Sequence, residues 1–421
     1  MKDYDNALEY LYNIERRGII FGLDNIRYIL NIIGNPHSGL KTIHVGGTNG
    51  KGSVSTILSD ILTYSGYRVG KYTSPHLVSF TERITINGHE ISEHEVATLV
   101  HGIRERIEKV PEEHSFTFFD FTTALAFEYF KHQKVDVAII EVGLGGRLDS
   151  TNVVEPIVTI ITNVHFDHTD YLGNNLEEIT QEKAGIIKQG VPVVTGADGS
   201  IARIIEQVAE RSDSPVYRLG KDFFYTKIDE QRMAYRGLTR TFPSLYVKLK
   251  GDHQFVNVSI ALCVVELLLS LGFSIDERKI FQALSEVILQ GRLECVREKP
   301  LIVLDVAHNP HGIHALCQYV TTYHANKKII AIFGVMKDKD YHRMLKEIIQ
   351  CTHSIILTKP NIDRALSPDT MKHLVPNPIL TYSVQDALKE AKKQARHGDM
   401  ILITGSFYTI GEAKPLIHEI F

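Results

Sequence analysis

The sequence predicts an α/β protein in which a mostly parallel sheet domain of the phosphate-loop type precedes a smaller Rossmann-like α/β domain. Three observations predict it. Short, almost unbroken apolar runs alternate with segments of helical apolar spacing, as expected of parallel strands covered by helices on both faces. A glycine-rich stretch separates the first such strand from the first such helix. The alternation lapses and then restarts after Gly291.

In chain order, Thr42–Val45, Val135–Val142, Ile157–Val164 and Val191–Val194 read as strands. Ser53–Thr63, Phe121–Lys131 and Asn175–Lys188 read as the crossover helices between them, from their apolar spacing. Arg83–Ile86 followed by Asn87–Gly88 reads as a hairpin, since that dipeptide suits a type I′ turn. Phe223–Leu249 is richer in Tyr, Thr and charge, and with the breakers Gly237 and Pro243 it suggests a small antiparallel excursion. Beyond Gly291, strands are expected at Pro300–Val306, Lys328–Gly334, Ser354–Leu357 and Met400–Thr404. Helices are expected between them at His311–Thr322, Lys339–Gln350 and Val384–Arg396. A boundary near residues 290–300 divides the chain into 1–295 and 296–421.

Composition narrows the function classes. A length of 421 residues is too much for one ordinary core. A hydrophobic share of 43% with 23% charged residues is a globular balance. The formal net charge of −4 gives no general pull toward nucleic acid, so an anionic ligand needs a local site. Cys263, Cys295, Cys317 and Cys351 show no CxxC spacing and read as reduced thiols of a cytoplasmic protein. The charged N-terminus lacks the apolar stretch of a signal peptide. The longest apolar run, near Ile260–Leu271, carries Glu266 and Ser270, so no membrane partner is expected.

The strongest local signal is His44-Val45-Gly46-Gly47-Thr48-Asn49-Gly50-Lys51-Gly52-Ser53. Glycines let backbone N–H groups turn toward phosphate oxygens, and the following helix adds its positive end. Lys51 would bring a point charge to the β/γ-phosphates, and Ser53 a hydroxyl near them or near Mg²⁺. The alternative is a strand-to-helix turn with no ligand. The stretch departs from the strict GxxxxGK[ST] pattern: Val45 replaces the first Gly, and Gly52 follows Lys51 where a hydroxyl belongs.

Further segments extend the signal: Thr73-Ser74-Pro75-His76-Leu77, Thr81-Glu82-Arg83-Ile84, Glu141 through Asn152, Asp167 through Gly173, and Glu182 through Ile186. Gly251 through Asn257, Gly291 through Glu294, Asp305 through His311, and Thr404 through Tyr408 follow. Together with Gly47–Ser53, this ordered series resembles the folylpolyglutamate synthases of the Mur ligase superfamily, often bifunctional with dihydrofolate synthase activity. The resemblance implies a Mur ligase central-domain-like fold and a reaction in which ATP phosphorylates a folate carboxylate that glutamate then attacks. The developing phosphoryl charge calls for positioned cations.

By resemblance, Gly47, Thr48, Asn49, Gly50, Lys51, Gly52, Ser53, Asn257, Arg292 and Asp305 belong to the ATP site. Ser74, Glu141 and His168 match Mg²⁺ ligands, of which His168 is the less usual type. Lys183 aligns with a lysine carried as a carbamate, and with Lys51 and His308 it forms the catalytic set. Asp305, His308, Ser406 and Tyr408 match residues that handle glutamate. Thr117, Phe118, Phe119, Asp120, Leu148, Asp149 and Ser150 match a dihydropteroate-binding region, with Phe119 stacking on the ring and Asp149 accepting from it. Arg83 can reach a substrate carboxylate or be a solvated strand charge.

Plainer readings remain open beside these. Arg292, Glu294 and Asp305 can be interdomain ion pairs, and at least half of the aromatics in Phe116–Phe121 are expected in the core. A cell-wall Mur enzyme would carry a UDP-binding domain ahead of the loop, where only about 45 residues stand. A nucleotide-binding regulator without catalysis is opposed by the intact Lys51, Glu141, His168 and Lys183. The non-Walker spacing and second domain disfavour a simple NTPase motor. The expected partners are small molecules only, and the expected state is a monomer.

Overall fold

The structure is a computed structural model describing residues 2–15, 18, 20–110 and 116–421. Its larger sheet contains β1 (Thr42–Gly46), β2 (Val69–Tyr72), β3 (Ile84–Ile86), β4 (His89–Glu90), β5 (Val137–Glu141), β6 (Pro156–Ile161), β7 (Val193–Thr195) and β8 (Val216–Arg218). The strand order is β4-β3-β2-β5-β1-β6-β7-β8. Every neighbouring pair from β2 across to β8 is parallel, and the β2–β3 and β3–β4 pairs at one edge are antiparallel. Asn87 and Gly88 both take positive φ at the β3–β4 turn, as the type I′ reading requires.

Both faces of this sheet are covered, which is why its strands read as unbroken apolar runs. In β5, Val137 and Ile139 join a core with the helices Lys51–Tyr64 and His253–Ser270. Ala138 and Ile140 point the other way, into a core with the helix Phe118–His132 and the two N-terminal helices. The connection from β1 leads toward β2 on one side and that from the neighbouring β6 toward β7 on the other, which opens a crevice at the strands' C-terminal ends.

A three-stranded antiparallel sheet, β9 (Phe224–Lys227), β10 (Arg232–Arg236) and β11 (Thr241–Tyr246), forms the expected excursion. Pro243 is tolerated because β11 is an edge strand. Among the described residues one helix, His253–Ser270, is long and apolar enough to cross a membrane, and it is mostly buried in the core. Its Glu266 accepts the backbone N–H groups of Leu238, Thr239 and Arg240 and the Tyr235 hydroxyl. All four cysteines are free.

The second sheet holds β12 (Glu294–Glu298), β13 (Leu301–Leu304), β14 (Ile329–Phe333), β15 (Ser354–Leu357), β16 (Ile379–Leu380) and β17 (Met400–Thr404), in the order β12-β13-β17-β14-β15-β16. Only β12 is antiparallel to its neighbour. The expected central elements are present, with two corrections at helix ends. The helix expected to reach Lys188 stops at Ala184, where Gly185 begins a turn leading toward Pro192. The helix expected over Lys339–Gln350 spans Tyr341–Ile348, because Asp340 caps its start and a 3₁₀ turn ends it.

Candidate active site

The phosphate loop leaves β1 and enters the helix Lys51–Tyr64 through two residues that only glycine fits. Gly47 has φ 129°, and a Cβ there would stand 2.0 Å from Thr162 Oγ1. Gly50 has φ 86°, and a Cβ there would stand 2.3 Å from Asn257 Oδ1. The loop is pinned from β6, since Thr48 N donates to Asn163 O and Asn49 N to Asn163 Oδ1. Lys51 Nζ turns back onto Gly47 O at 3.1 Å and lies 4.0 Å from Glu141 Oε1. Ser53 is buried in the first helical turn, while Gly52 faces the Glu141 carboxylate. Asn257 donates to Gln254 Oε1 and keeps its own oxygen against Gly50.

Lys51, Ser74, Glu141, His168, Lys183, Arg292 and His308 line one cleft with the loop. Burial raises the Glu141 carboxyl, although Lys51, Arg292 and the Ser74 backbone oppose the rise. A buried carboxylate so incompletely compensated suits a divalent cation. Burial also lowers His168 to about 4, keeping the imidazole neutral as metal ligation requires. The Ser74 hydroxyl and Glu141 carboxylate supply the oxygen donors Mg²⁺ favours, whereas His168 Nε2 accepts from Lys339 Nζ at 3.1 Å and would join them only by giving up that contact. Lys183 is buried, with Nζ 3.2 Å from Gly47 O. Burial, then the nearby Lys51 ammonium, pushes its amine down to about 7, where a substantial neutral fraction can react with CO₂.

The second sheet brings its own side chains to this cleft. The Arg292 guanidinium lies over the Phe407 ring at 5.5 Å and beside Glu141 and Asp305 in charge. His308 Nδ1 is 2.9 Å from Val306 O, which turns Nε2 toward Asp167 at 3.4 Å. Asp305 is turned inward instead: its two oxygens accept from Leu293 N and Ala307 N, so it shapes the Arg292 and His308 loops. Ser406 caps the last helix by accepting from Thr409 N, and Tyr408 is half-buried in that helix's first turn.

On the proposed pterin side the structure redistributes the expected roles. Thr117 and Asp120 form a capping box that starts the helix Phe118–His132, and Ser150 Oγ donates to Asp120 Oδ1 at 2.7 Å. Phe118 is a core ring, packed between Phe80, Tyr12 and the Arg83 guanidinium. Phe116 and Phe121 are buried too, whereas Phe119 keeps an exposed part beside Tyr72 and Gly143. Asp149 is not a free acceptor: Gly143 N and Leu144 N donate to one oxygen, Thr151 N and Oγ1 to the other. Its carboxylate builds the turn that precedes the half-buried Leu148. Arg83 is buried, donating to His76 Nδ1, rather than solvated.

Several residues at the interface had no individual role in the sequence reading. Asp167 pairs with Lys339 at 2.7 Å. Asn309 and Asn49 exchange amide hydrogen bonds at 3.0 and 3.3 Å. His165 and His311 stack at 3.5 Å. Lys339 had one usable signal, a charged run directly after β14, where a parallel sheet opens its crevice.

Known families match the chain on both sides of the cleft. The Mur ligase middle domain family matches residues 45–265, and the Mur ligase glutamate ligase domain family matches residues 291–407. The dihydrofolate synthase/folylpolyglutamate synthase of Bacillus subtilis is 33% identical, covering 98% of both chains. The Escherichia coli protein of the same name is 33% identical, covering 97% of this chain and 94% of its own. The structure of Escherichia coli FolC in complex with DHPP and ADP has a TM-score of 0.91 at 31% identity, covering 99% of this chain and 98% of that one. A Mycobacterium tuberculosis folylpolyglutamate synthase complexed with ADP and AMPPCP has a TM-score of 0.89 at 29% identity, covering 98% of each chain. With matched domains on both sides of the cleft and full-length relatives at this identity, the chain belongs to the dihydrofolate synthase/folylpolyglutamate synthase family of Mur ligases.

Proposed function

We propose that the chain joins the amine of L-glutamate to a carboxyl group of tetrahydrofolate, and also to 7,8-dihydropteroate. The carboxylate takes the γ-phosphoryl group of ATP, giving an acyl phosphate and ADP. The glutamate amine attacks the acyl carbon, phosphate departs, and an amide remains. The observation that carries this reading is the single cleft in which Lys51, Glu141 and Lys183 meet Arg292 and His308.

Residues 1–295 hold the nucleotide and the pterin acid, and residues 296–421 bring glutamate, with Arg292 on the connection into β12 between them. Gly47 to Ser53 cradle the phosphates, Lys51 and Arg292 offset charge on the transferring group, and Asn257 meets the base. Ser74, Glu141 and His168 would hold Mg²⁺, which supplies charge neutralisation at the phosphoryl oxygens. Lys183 as a carbamate turns a buried cation into an anion among cations. His308, Ser406 and Tyr408 address glutamate, and Phe119 with Leu148 addresses the ring. Free thiols support a cytoplasmic setting for this small-molecule chemistry.

Purified protein should release phosphate only when glutamate and one of the two pterin acids are both present. Turnover with neither acid defeats the reading. Turnover with tetrahydrofolate alone removes the dihydropteroate half.

A further inference from the structure

We propose that Asp167 is a positioning residue that couples docking of the C-terminal unit to the placement of His168 and His308, with Lys339 as its counter-ion. This rests on the ligase reading above. The Asp167 side chain is 7% exposed and has three hydrogen-bond donors and the His308 ring within reach. One is local, the backbone N–H of His168 at 2.9 Å. The other two come from across the cleft, Lys339 Nζ at 2.7 Å and Asn309 Nδ2 at 3.0 Å, and the His308 ring, whose Nδ1 meets Val306 O, brings Nε2 to 3.4 Å. One carboxylate thus gathers three groups of the C-terminal unit around a point next to His168.

The contacts end on the functional side chains themselves. Lys339 Nζ also donates to His168 Nε2 at 3.1 Å, so the same ammonium fixes the ring and the neighbouring carboxylate. Asn309 is fully used: Nδ2 donates to Asp167 and to Asn49 of the phosphate loop, while its oxygen accepts from Gly312 N and Asn49 Nδ2. The start of the helix Pro310–Tyr323 is therefore strapped to both the phosphate loop and Asp167. Withdrawal of the C-terminal unit would strip Asp167 of all but its backbone donor.

A buried ion pair gains little net stability, because desolvation offsets most of its attraction. Its value lies in geometry. The pair is satisfied in one relative placement of the two units, and in that placement His168 and His308 face each other across Asp167. Misplacement of reacting groups by about 1 Å can reduce rates by roughly two orders of magnitude.

The test uses Asp167→Asn and Lys339→Met in the full chain. Each should keep its fold by circular dichroism and bind ADP within about threefold of wild type, because the phosphate loop is held from β6. Each should lose at least roughly tenfold in kcat. Solution X-ray scattering should show the ADP-bound variants more extended than ADP-bound wild type. The double variant should be no slower than the slower single one, as expected of a pair acting as a unit. Wild-type kcat in both folded variants overturns the proposal. So does a loss of ADP affinity as large as the loss of kcat, which would make Asp167 merely a support of the phosphate loop. Lys339→Met decides the matter if Asp167→Asn fails to fold. Failure of the ligase reading itself would appear in the wild type, which would then make no glutamyl product.

Discussion

The two sides of the cleft are built in different ways. On the N-terminal side, the phosphate loop is a contiguous backbone structure whose shape is set by Gly47 and Gly50 and pinned by Thr162 and Asn163 of one neighbouring strand end. On the C-terminal side, Arg292, His308, Asn309 and Lys339 are side chains from separate loops, reaching across to Asp167, Asn49 and Glu141. The first side is held by contacts within its own unit. The second is held by contacts that cross the cleft. Binding of nucleotide and chemistry on it should therefore be separable by mutation.

Lys51→Ala should have the largest effect, because the role proposed for this ammonium is in the transition state itself. A loss of kcat of about a hundredfold or more is expected with the fold intact, measured as glutamate-dependent phosphate release. Near-normal rates would remove Lys51 from the mechanism. Gly47→Ala attacks the same side through the backbone. Its Cβ would meet Thr162 Oγ1 at 2.0 Å in a conformation that alanine rarely adopts. It should destabilise the N-terminal unit by about 1–3 kcal/mol in denaturant titration and weaken ADP binding together with turnover. Unchanged ADP affinity would mean that the loop is less rigid than its contacts suggest.

Asn309→Asp probes the other side with one atom changed. Aspartate keeps the helix cap onto Gly312 N, but it sets a second carboxylate 3.0 Å from Asp167 and removes the donor to Asn49. Like charges at that distance should push the units apart. The expected result is a fall in kcat of roughly tenfold with ADP affinity nearly unchanged. A parallel fall in ADP affinity would erase the proposed difference between the two sides.

That difference also governs what the sequence made legible. The phosphate loop lies in one stretch, and its glycines, lysine and flanking periodicity all stand within a single local pattern. The central strands were legible because burial on both faces leaves runs such as Val137–Ile140 wholly apolar. The Asp167–Lys339 pair spans 172 residues, and no local pattern encodes how two sheets are docked. Asp149 misled for a related reason. The motif shows an acceptor, but not that Gly143, Leu144 and Thr151 already fill it. The helix Glu93–Glu108 was missed although its capping box, Ser92 with Glu95, stands in the sequence. The all-apolar helix His253–Ser270 offered no amphipathic stripe to find.

Lys183 stands between the two sides, and the smallest predicted effect concerns its chemistry. Its amine touches the phosphate loop at Gly47 O, and its charge environment includes Asp167 and Lys339. Carbamate formation requires the neutral amine, because the ammonium has no lone pair to attack CO₂. With the amine pushed down to about 7, the neutral fraction rises as pH increases through that value. An ordinary lysine, near 10.4, would stay almost wholly protonated between pH 6 and 8. Enzyme depleted of CO₂ should therefore regain activity on adding bicarbonate by several-fold more at pH 8 than at pH 6, with assays run at one common pH. Lys339→Met removes a nearby positive charge that helps hold the Lys183 amine down, so the rise should move to higher pH in that variant. A bicarbonate response independent of pH, or one unmoved by Lys339→Met, would show that Lys183 is set by the N-terminal side alone.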